Sequence, residues 1–224
     1  VLHIGRVAEA EELNDALFEQ TQAPPKVRPF KQGPPLTCTI ANPGSVESKA
    51  MLFVEDTGAI ERPLGDDEVE IEVKAVGVNF RDIFVLLGRL SDGDSIGTEC
   101  SGIVTRVGAA ATSDLKPGDR VCAVLLDCFR TLVRCHYQFV SKIPDALSFA
   151  AGAAIPLGGV TAYHSLVQIA RLRKGETVLI HSGAGGTGQM AIKVAQALGA
   201  KVFATVGSDD KRDLLERLYG IPKE

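Results

Sequence analysis

The central part of the chain is a series of short β-branched runs separated by turn signals. Residues 69–76 (V-E-I-E-V-K-A-V) alternate apolar and polar side chains, which is the period of a half-buried strand. Residues 80–87 have the pattern of a helix. Further strands are predicted at 37–40, 50–55, 102–107, 120–125 and 137–141. The pattern therefore predicts a β-rich, barrel-like domain over residues 36–147.

The hydrophobic period changes after Pro144. Two alanine-rich segments, 148–155 and 159–169, have helical character. Beyond them, predicted strands alternate with predicted helices in the order strand 177–181, helix 189–198, strand 202–206 and helix 208–219. This alternation is typical of a parallel sheet covered by helices. We therefore expect the first part of a doubly wound Rossmann sheet over residues 148–224, so that the fold class is α/β plus β.

The first 35 residues resemble neither of these parts. Residues 9–20 are acidic and predict a short helix, and residues 23–35 are rich in proline, as linkers and extended entry segments are. We expect residues 1–35 to be a connector. The chain starts at Val1 and stops just after a predicted helix, so we also expect it to be a segment of a longer polypeptide.

Composition narrows the class of protein. The 224 residues are 45% hydrophobic and 23% charged, which is ordinary for a globular protein. A net charge of −4 argues against a nucleic-acid partner, and no apolar run is long enough to span a membrane. The five cysteines include no C-x-x-C pair and are expected to be buried as small apolar residues. A reducing compartment, the cytoplasm, is therefore the expected location.

The strongest chemical signal is a glycine-rich turn at 182–188 (S-G-A-G-G-T-G), which contains G-x-G-x-x-G. It follows a predicted strand and precedes a predicted helix, the context in which this motif binds a dinucleotide. Glycines allow the backbone to approach a pyrophosphate closely, and the helix N-terminus stabilises the negative charge. A tight strand-to-helix turn without a ligand is the alternative.

The end of the second predicted strand favours NADPH over NADH. NAD sites place an acid there to bind the ribose 2′-hydroxyl, whereas this strand is followed by Ser208, and Lys211 and Arg212 come soon after. A hydroxyl and cations suit a 2′-phosphate. Asp209 and Asp210 are expected to face solvent in the first turn of the helix. The alternative for both cations is a solvated helix face.

Several motifs occur in an order that resembles one superfamily, the medium-chain dehydrogenases/reductases, which join a GroES-like barrel to a Rossmann domain. The motifs are 69–82 (VEIEVKAVGVNFRD), 97–108 (GTECSGIVTRVG), 115–121 (LKPGDRV), 153–166 (AAIPLGGVTAYHSL) and residues 172–211. The chain is most similar to enoyl reductase domains of fungal highly reducing polyketide synthases, and it is also similar to that of animal fatty acid synthase.

One departure within this superfamily concerns metal. The zinc alcohol dehydrogenases carry a cysteine ligand where this chain has Asn79, and a histidine ligand in a G-H-E triplet where this chain has Thr98. Without those side chains a catalytic zinc has no tetrahedral site. We therefore expect no metal, and the reduction of an already polarised C=C bond rather than the oxidation of an alcohol.

The resemblance implies hydride transfer from NADPH to Cβ of a trans-2-enoyl thioester, with a proton then delivered to Cα. It implies that Asn79 and Thr161 lie beside the nicotinamide and its ribose. It assigns the pyrophosphate to the turn of Gly183, Ala184, Gly185, Gly186, Thr187 and Gly188, and the 2′-phosphate to Ser208 and Lys211. The lysine that matches Lys211 is also a suspected proton donor in related reductases. Phosphate binding is the favoured role, because a lysine there would be far from Cα.

The resemblance also implies partners: an acyl carrier protein that bears the enoyl thioester, the other domains of a multidomain synthase, and a second copy in a homodimer. Two alternatives stay open, a free-standing zinc-independent quinone or enone reductase and a non-catalytic reductase-like module.

Two further expectations concern single residues. Leu90 stands where bacterial modular enoyl reductases commonly place a tyrosine, so the proton for Cα is expected to come from elsewhere. His181 is expected to be a buried core histidine at the end of its strand.

Overall fold

The computed structural model describes residues 33–41, 43–44, 51–90, 95–111 and 114–222. The helix predicted at 9–20 lies outside these residues, as does most of the connector. Residues 34–224 form one compact unit. None of the helices in the described ranges is long and apolar enough to cross a bilayer.

The β-rich part contains two antiparallel sheets. A hairpin pairs β1 (Leu36–Ile40) with β2 (Met51–Glu55). A five-stranded sheet has the order β6-β3-β4-β5-β7. Its strands are β3 (Glu68–Val76), β4 (Glu99–Val107), β5 (Arg120–Val124), β6 (Leu132–His136) and β7 (Val140–Lys142). Each described pairing in this sheet is antiparallel, as expected for a barrel-type domain.

The core of this sheet is made from alternate apolar positions and from cysteines. Val69 and Ile71 of β3 belong to the same buried cluster as Val104 of β4 and Val121 of β5. All five cysteines are buried and free, as predicted from their composition. Burial raises the pKa of Cys38 to about 11 and that of Cys135 to about 12, so these thiols stay protonated. The cysteines therefore behave as small core residues.

Short helices flank the strands. They are α1 (Thr57–Glu61), α2 (Phe80–Leu86), α3 (Phe149–Ala153) and α4 (Pro156–Tyr163), and a π-helical turn at His164–Ile169 continues α4. α3 packs on the five-stranded sheet, where Ser101 Oγ donates a hydrogen bond to the Phe149 carbonyl at 2.5 Å. The domain boundaries at residues 35/36 and 147/148 stay predictions.

The C-terminal part has the predicted strand-helix-strand-helix order. β8 (Thr177–Ile180) and β9 (Lys201–Ala204) pair in parallel, and α5 (Gly186–Ala197) crosses between them. α6 (Asp209–Tyr219) follows β9 and ends at Gly220, which adopts a left-handed φ of +64°. Ile180, Ile192, Ala195 and Leu215 form the core between this sheet and its helices. The predicted fold class is confirmed.

Several predicted elements differ in detail. The strand predicted at 137–141 is a 3₁₀ turn, Tyr137–Phe139, followed by the short β7. The strand before it, β6, was not predicted, because its buried Arg134 interrupts the apolar pattern; Glu70 pairs with this guanidinium at 2.7 Å. The helix predicted at 148–155 ends at Ala153, since Pro156 starts a new helix. α5 begins three residues earlier than predicted, within the glycine turn itself.

Candidate functional site

The glycine turn joins β8 to α5 and lies against β9. The Gly183 amide donates to the Thr205 carbonyl at 2.9 Å, which ties the turn to the end of the second strand. A Cβ on Gly183 would lie 2.8 Å from Ala204 Cβ, and one on Gly188 would lie 2.4 Å from the Ser182 carbonyl oxygen. Both glycines are therefore required for close packing within the turn.

The middle of the same turn is open. Gly185, Gly186 and Thr187 are exposed, and a Cβ on Gly186 would have no neighbour within 4 Å. The half-buried Ala184 packs against the core of the C-terminal part. The first turn of an α-helix leaves its amides without acceptors in the helix, and α5 starts at Gly186. This arrangement suits the approach of an anion.

The end of β9 carries a free hydroxyl and a cation. Ser208 occupies the N-cap position of α6, but its side chain makes no capping hydrogen bond. Lys211 is exposed, and within the described ranges no ion pair involves it. Arg212 instead pairs with Asp209 at 3.1 Å, which partly neutralises one of the two carboxylates beside Ser208. Ser208 and Lys211 therefore stand together on the first turn of α6.

Asn79 lies at the start of α2, in a corner of the β-rich part. Its Nδ2 donates to Thr98 Oγ1 at 3.1 Å and to Glu99 Oε1 at 2.9 Å. Its backbone amide donates to Asp82 Oδ2 at 2.8 Å, and Asp82 Oδ1 accepts from the Gly97 amide at 2.7 Å. The carboxylate of Asp82 thus holds the two segments of this corner together. The neighbouring Arg81 guanidinium donates to the Ser95 carbonyl at 3.1 Å.

The chemistry of this corner does not suit zinc. Asn79 and Thr98 offer a neutral amide and a hydroxyl that are already hydrogen-bonded to each other, in place of a thiolate and an imidazole. Among the described residues, no three histidine, cysteine or acidic side chains are grouped as metal ligands would be.

Helix α4 connects the corner to the glycine turn. Its Leu157 amide donates to Glu99 Oε2 at 2.8 Å. One residue later, a Cβ on Gly158 would lie 3.3 Å from Met190 Cγ and 3.8 Å from the Gly186 carbonyl oxygen. The first turn of α4 therefore touches both the residue that binds Asn79 and the first turn of α5. Thr161, on the next turn, has an exposed side chain.

Two single-residue expectations have different outcomes. His181 is exposed, with Nδ1 3.1 Å from Thr205 Oγ1, so the prediction of a buried histidine is wrong. The His181 side chain is exposed because β8 has only one neighbouring strand among the described residues. Leu90 follows Gly88, which closes α2 with φ +64°, and its side chain is partly exposed. Its place relative to a bound substrate stays a prediction.

Sequence reasoning missed one residue, Glu99. It noted this position only as part of the triplet that lacks a zinc ligand. The structure shows a buried carboxylate that accepts hydrogen bonds from two different elements. An acid at the head of an otherwise apolar strand, E-C-S-G-I-V, was the available signal, because a buried acid needs partners.

Comparison with known proteins identifies related sequences. The family described as "Alcohol dehydrogenase GroES-like domain" matches residues 65–176. A highly reducing polyketide synthase of Penicillium oxalicum, poxF, is 47% identical over 224 residues, which is 99% of this chain and 9% of that protein. The chain thus spans about a tenth of the length of this curated relative.

Solved structures share the fold. The CurK enoyl reductase has a TM-score of 0.75 at 33% identity, and the match covers 85% of this chain and 59% of that one. A quinone oxidoreductase of Escherichia coli complexed with NADPH has a TM-score of 0.63 at 30% identity, covering 80% of this chain and 54% of that one.

Proposed function

This chain belongs to the alcohol dehydrogenase family that has a GroES-like domain, and we propose that it forms part of an NADPH-dependent enoyl reductase in a polyketide synthase. Its similarity to a highly reducing polyketide synthase and to an enoyl reductase structure supports this proposal. The open first turn of α5, beside the tightly packed Gly183 and Gly188, is the structural observation on which it depends most.

The residues of the turn fit a dinucleotide. The amides of Gly186 and Thr187 would bind the pyrophosphate, because they lie at the positive end of α5 and nothing obstructs Gly186. The exposed Gly185, whose own amide donates to the Ser182 carbonyl at 2.9 Å, would let the phosphates approach the backbone closely. Gly183, Ala184 and Gly188 would shape the turn by packing. Ser208 and Lys211 would bind the 2′-phosphate through a hydroxyl that caps no helix and an exposed ammonium.

The corner at Asn79 would receive the other end of the same molecule. Asn79 and Thr161 would contact the nicotinamide and its ribose. Thr161 lies on α4, and the first turn of α4 contacts both the corner and the glycine turn. The bound dinucleotide would supply a hydride for Cβ of a trans-2-enoyl thioester. The protein would orient the two molecules, and Lys211 is a phosphate ligand in this proposal rather than the proton donor for Cα.

The substrate and partners follow from the same proposal. A polyketide synthase presents its intermediates on an acyl carrier protein, so this protein and the other synthase domains are the proposed partners. A homodimer is the proposed assembly.

The decisive experiment measures NADPH oxidation with crotonyl-pantetheine in the complete reductase that contains this chain. We expect turnover with the enoyl thioester and much less with simple quinones. Preference for a quinone would favour the quinone reductase alternative, and binding of NADPH without turnover of either class would favour a non-catalytic module.

A separate prediction concerns Lys211. Replacing it with alanine removes a charge-assisted contact to the 2′-phosphate, so the Kd of NADPH is expected to rise about tenfold while that of NADH is unchanged. Calorimetric titration of both cofactors measures this. Arg217→Ala, which removes a cation from the last turn of the same helix, is the matched control and should change neither value. Equal NADPH and NADH affinities in the parent protein would overturn the assignment.

A further inference from the structure

Glu99 is a buried carboxylate with both oxygens in use. It begins β4 and is 4% exposed. Oε1 accepts from Asn79 Nδ2 at 2.9 Å, and Oε2 accepts from the Leu157 amide at 2.8 Å. The two donors belong to different parts of the fold, the corner before α2 and the first turn of α4. A burial of this kind is costly unless each oxygen is satisfied, as both are here.

The fold makes room for this side chain. A Cβ on Gly77 would lie 2.3 Å from Glu99 Oε1 and 2.5 Å from Glu99 Cγ, so only glycine fits opposite it. The Gly77 amide also donates to the Glu99 carbonyl at 3.1 Å. The position of the carboxylate is therefore fixed by the backbone on one side and by two donors on the other.

Glu99 determines which way the Asn79 amide points. A carboxylate only accepts hydrogen bonds, so the atom of Asn79 that faces it must be Nδ2. Both hydrogens of Nδ2 are used, one by Glu99 and one by Thr98. Oδ1 is thereby turned away from the carboxylate and toward the first turn of α2, where a capping box brings the backbone amide of Asp82 to the Asn79 side chain. Asn79 is half-buried, and its carbonyl oxygen has two lone pairs, so Oδ1 can also accept a hydrogen bond from a ligand.

We propose that Glu99 is a positioning residue, which orients Oδ1 of Asn79 toward the nicotinamide end of the cofactor. It also fixes the position of α4 relative to Asn79. This inference rests on the proposed function, since it presumes a dinucleotide beside Asn79. Glu99 itself touches no cofactor. It acts through the Asn79 side chain and through the Leu157 amide.

Glutamine at this position keeps the size but reverses one hydrogen bond. The Leu157 amide cannot change direction, so the single oxygen of the glutamine would face it. The glutamine NH₂ would then face Asn79, whose amide must rotate to present Oδ1 to it. In Glu99→Gln the nicotinamide end would therefore meet a donor where the parent offers an acceptor.

The test compares two ligands in the complete reductase. NADPH contains the nicotinamide end, and 2′-phospho-ADP-ribose lacks it but keeps the phosphates. In Glu99→Gln we expect the Kd of NADPH to rise about tenfold, the effect of one hydrogen bond, and the Kd of 2′-phospho-ADP-ribose to stay within twofold of the parent value. A loosened fold would weaken both ligands together.

Two further variants complete the design. The aspartate of Glu99→Asp still only accepts hydrogen bonds, so this variant should keep the parent ratio of the two affinities even though the shorter side chain lowers the melting temperature. If the glutamine variant does not fold, a changed ratio in Glu99→Asp would contradict the proposal. Glu70→Gln is the matched control, because Glu70 is as deeply buried as Glu99 and forms a network with Arg134 and Thr105. Glu70 lies about 20 Å along β3 from Val76, at the other end of the strand. It should lower stability without changing the ratio.

Each outcome decides the proposal. A selective loss of NADPH affinity in Glu99→Gln, with the parent ratio in Glu99→Asp and Glu70→Gln, supports it. An unchanged NADPH affinity, or equal weakening of both ligands, overturns it and leaves the proposed function standing. A parent protein that binds neither ligand overturns the proposed function, and the inference with it.

Discussion

Gly188→Ala is expected to abolish cofactor binding and to destabilise the fold. The new Cβ would lie 2.4 Å from the Ser182 carbonyl oxygen and 2.8 Å from Gly183 Cα, and both neighbours are backbone atoms that cannot rotate away. Overpacking of this kind costs roughly 3 kcal/mol at the upper end, so the melting temperature should fall by about 6–12 °C. Thermal melts and NADPH titration of the complete reductase measure both effects.

Gly186→Ala is the matched control two residues away. Its Cβ would have no protein neighbour within 4 Å, and alanine favours a helix more than glycine does. The melting temperature should therefore be kept or raised. The methyl group would stand where the pyrophosphate is proposed to bind, so NADPH should bind more weakly, by about tenfold.

The pair of variants separates two roles within one motif. If Gly188→Ala melts like the parent, the packing that the structure shows for this turn is wrong. If Gly186→Ala binds NADPH as tightly as the parent, the phosphates do not bind on the open side of the turn, and the proposed phosphate site is wrong.

Much of the fold could be predicted from local signals. The strict alternation of β3 and the order of elements after Pro144 depend on neighbouring residues only, so their periods were visible in the sequence. β6 was hidden because its Arg134 is buried against Glu70, a partner 64 residues away. Such a pairing depends on the tertiary structure, so the local hydrophobic period of the sequence does not indicate it.

The candidate site also has a part that the sequence predicts and a part that depends on tertiary contacts. The glycine turn is a local motif, and its sequence already separated it from an ordinary loop. Sequence could not separate Gly183 and Gly188, which pack, from Gly186, which is open, because that depends on where Ala204 and Ser182 lie. The role of Glu99 was equally out of reach, since its partners Asn79 and Leu157 are 20 and 58 residues away.

The two-stranded parallel sheet has one bare face among the described residues. Val178 and Ile180 pack toward α5 and α6, whereas Leu179 and Phe203 pair with each other on the opposite face and are 56% and 37% exposed. Parallel sheets are almost always covered on both faces. An apolar face with open edges on either side is a surface on which further chains can pair.

The chain of residues 1–224 produced by itself is therefore expected to self-associate at micromolar concentration. Placing opposite charges on the bare face, Leu179→Lys together with Phe203→Glu, should restore a monomer, because the pair lies in register on neighbouring strands. Leu126→Lys, at an exposed leucine of the β-rich part, is the control and should leave the association unchanged. Light scattering and size-exclusion chromatography measure the state of each variant. A monodisperse parent chain with one cooperative melt would show that the bare face needs no cover, and association that persists in the charged pair would locate the contact elsewhere.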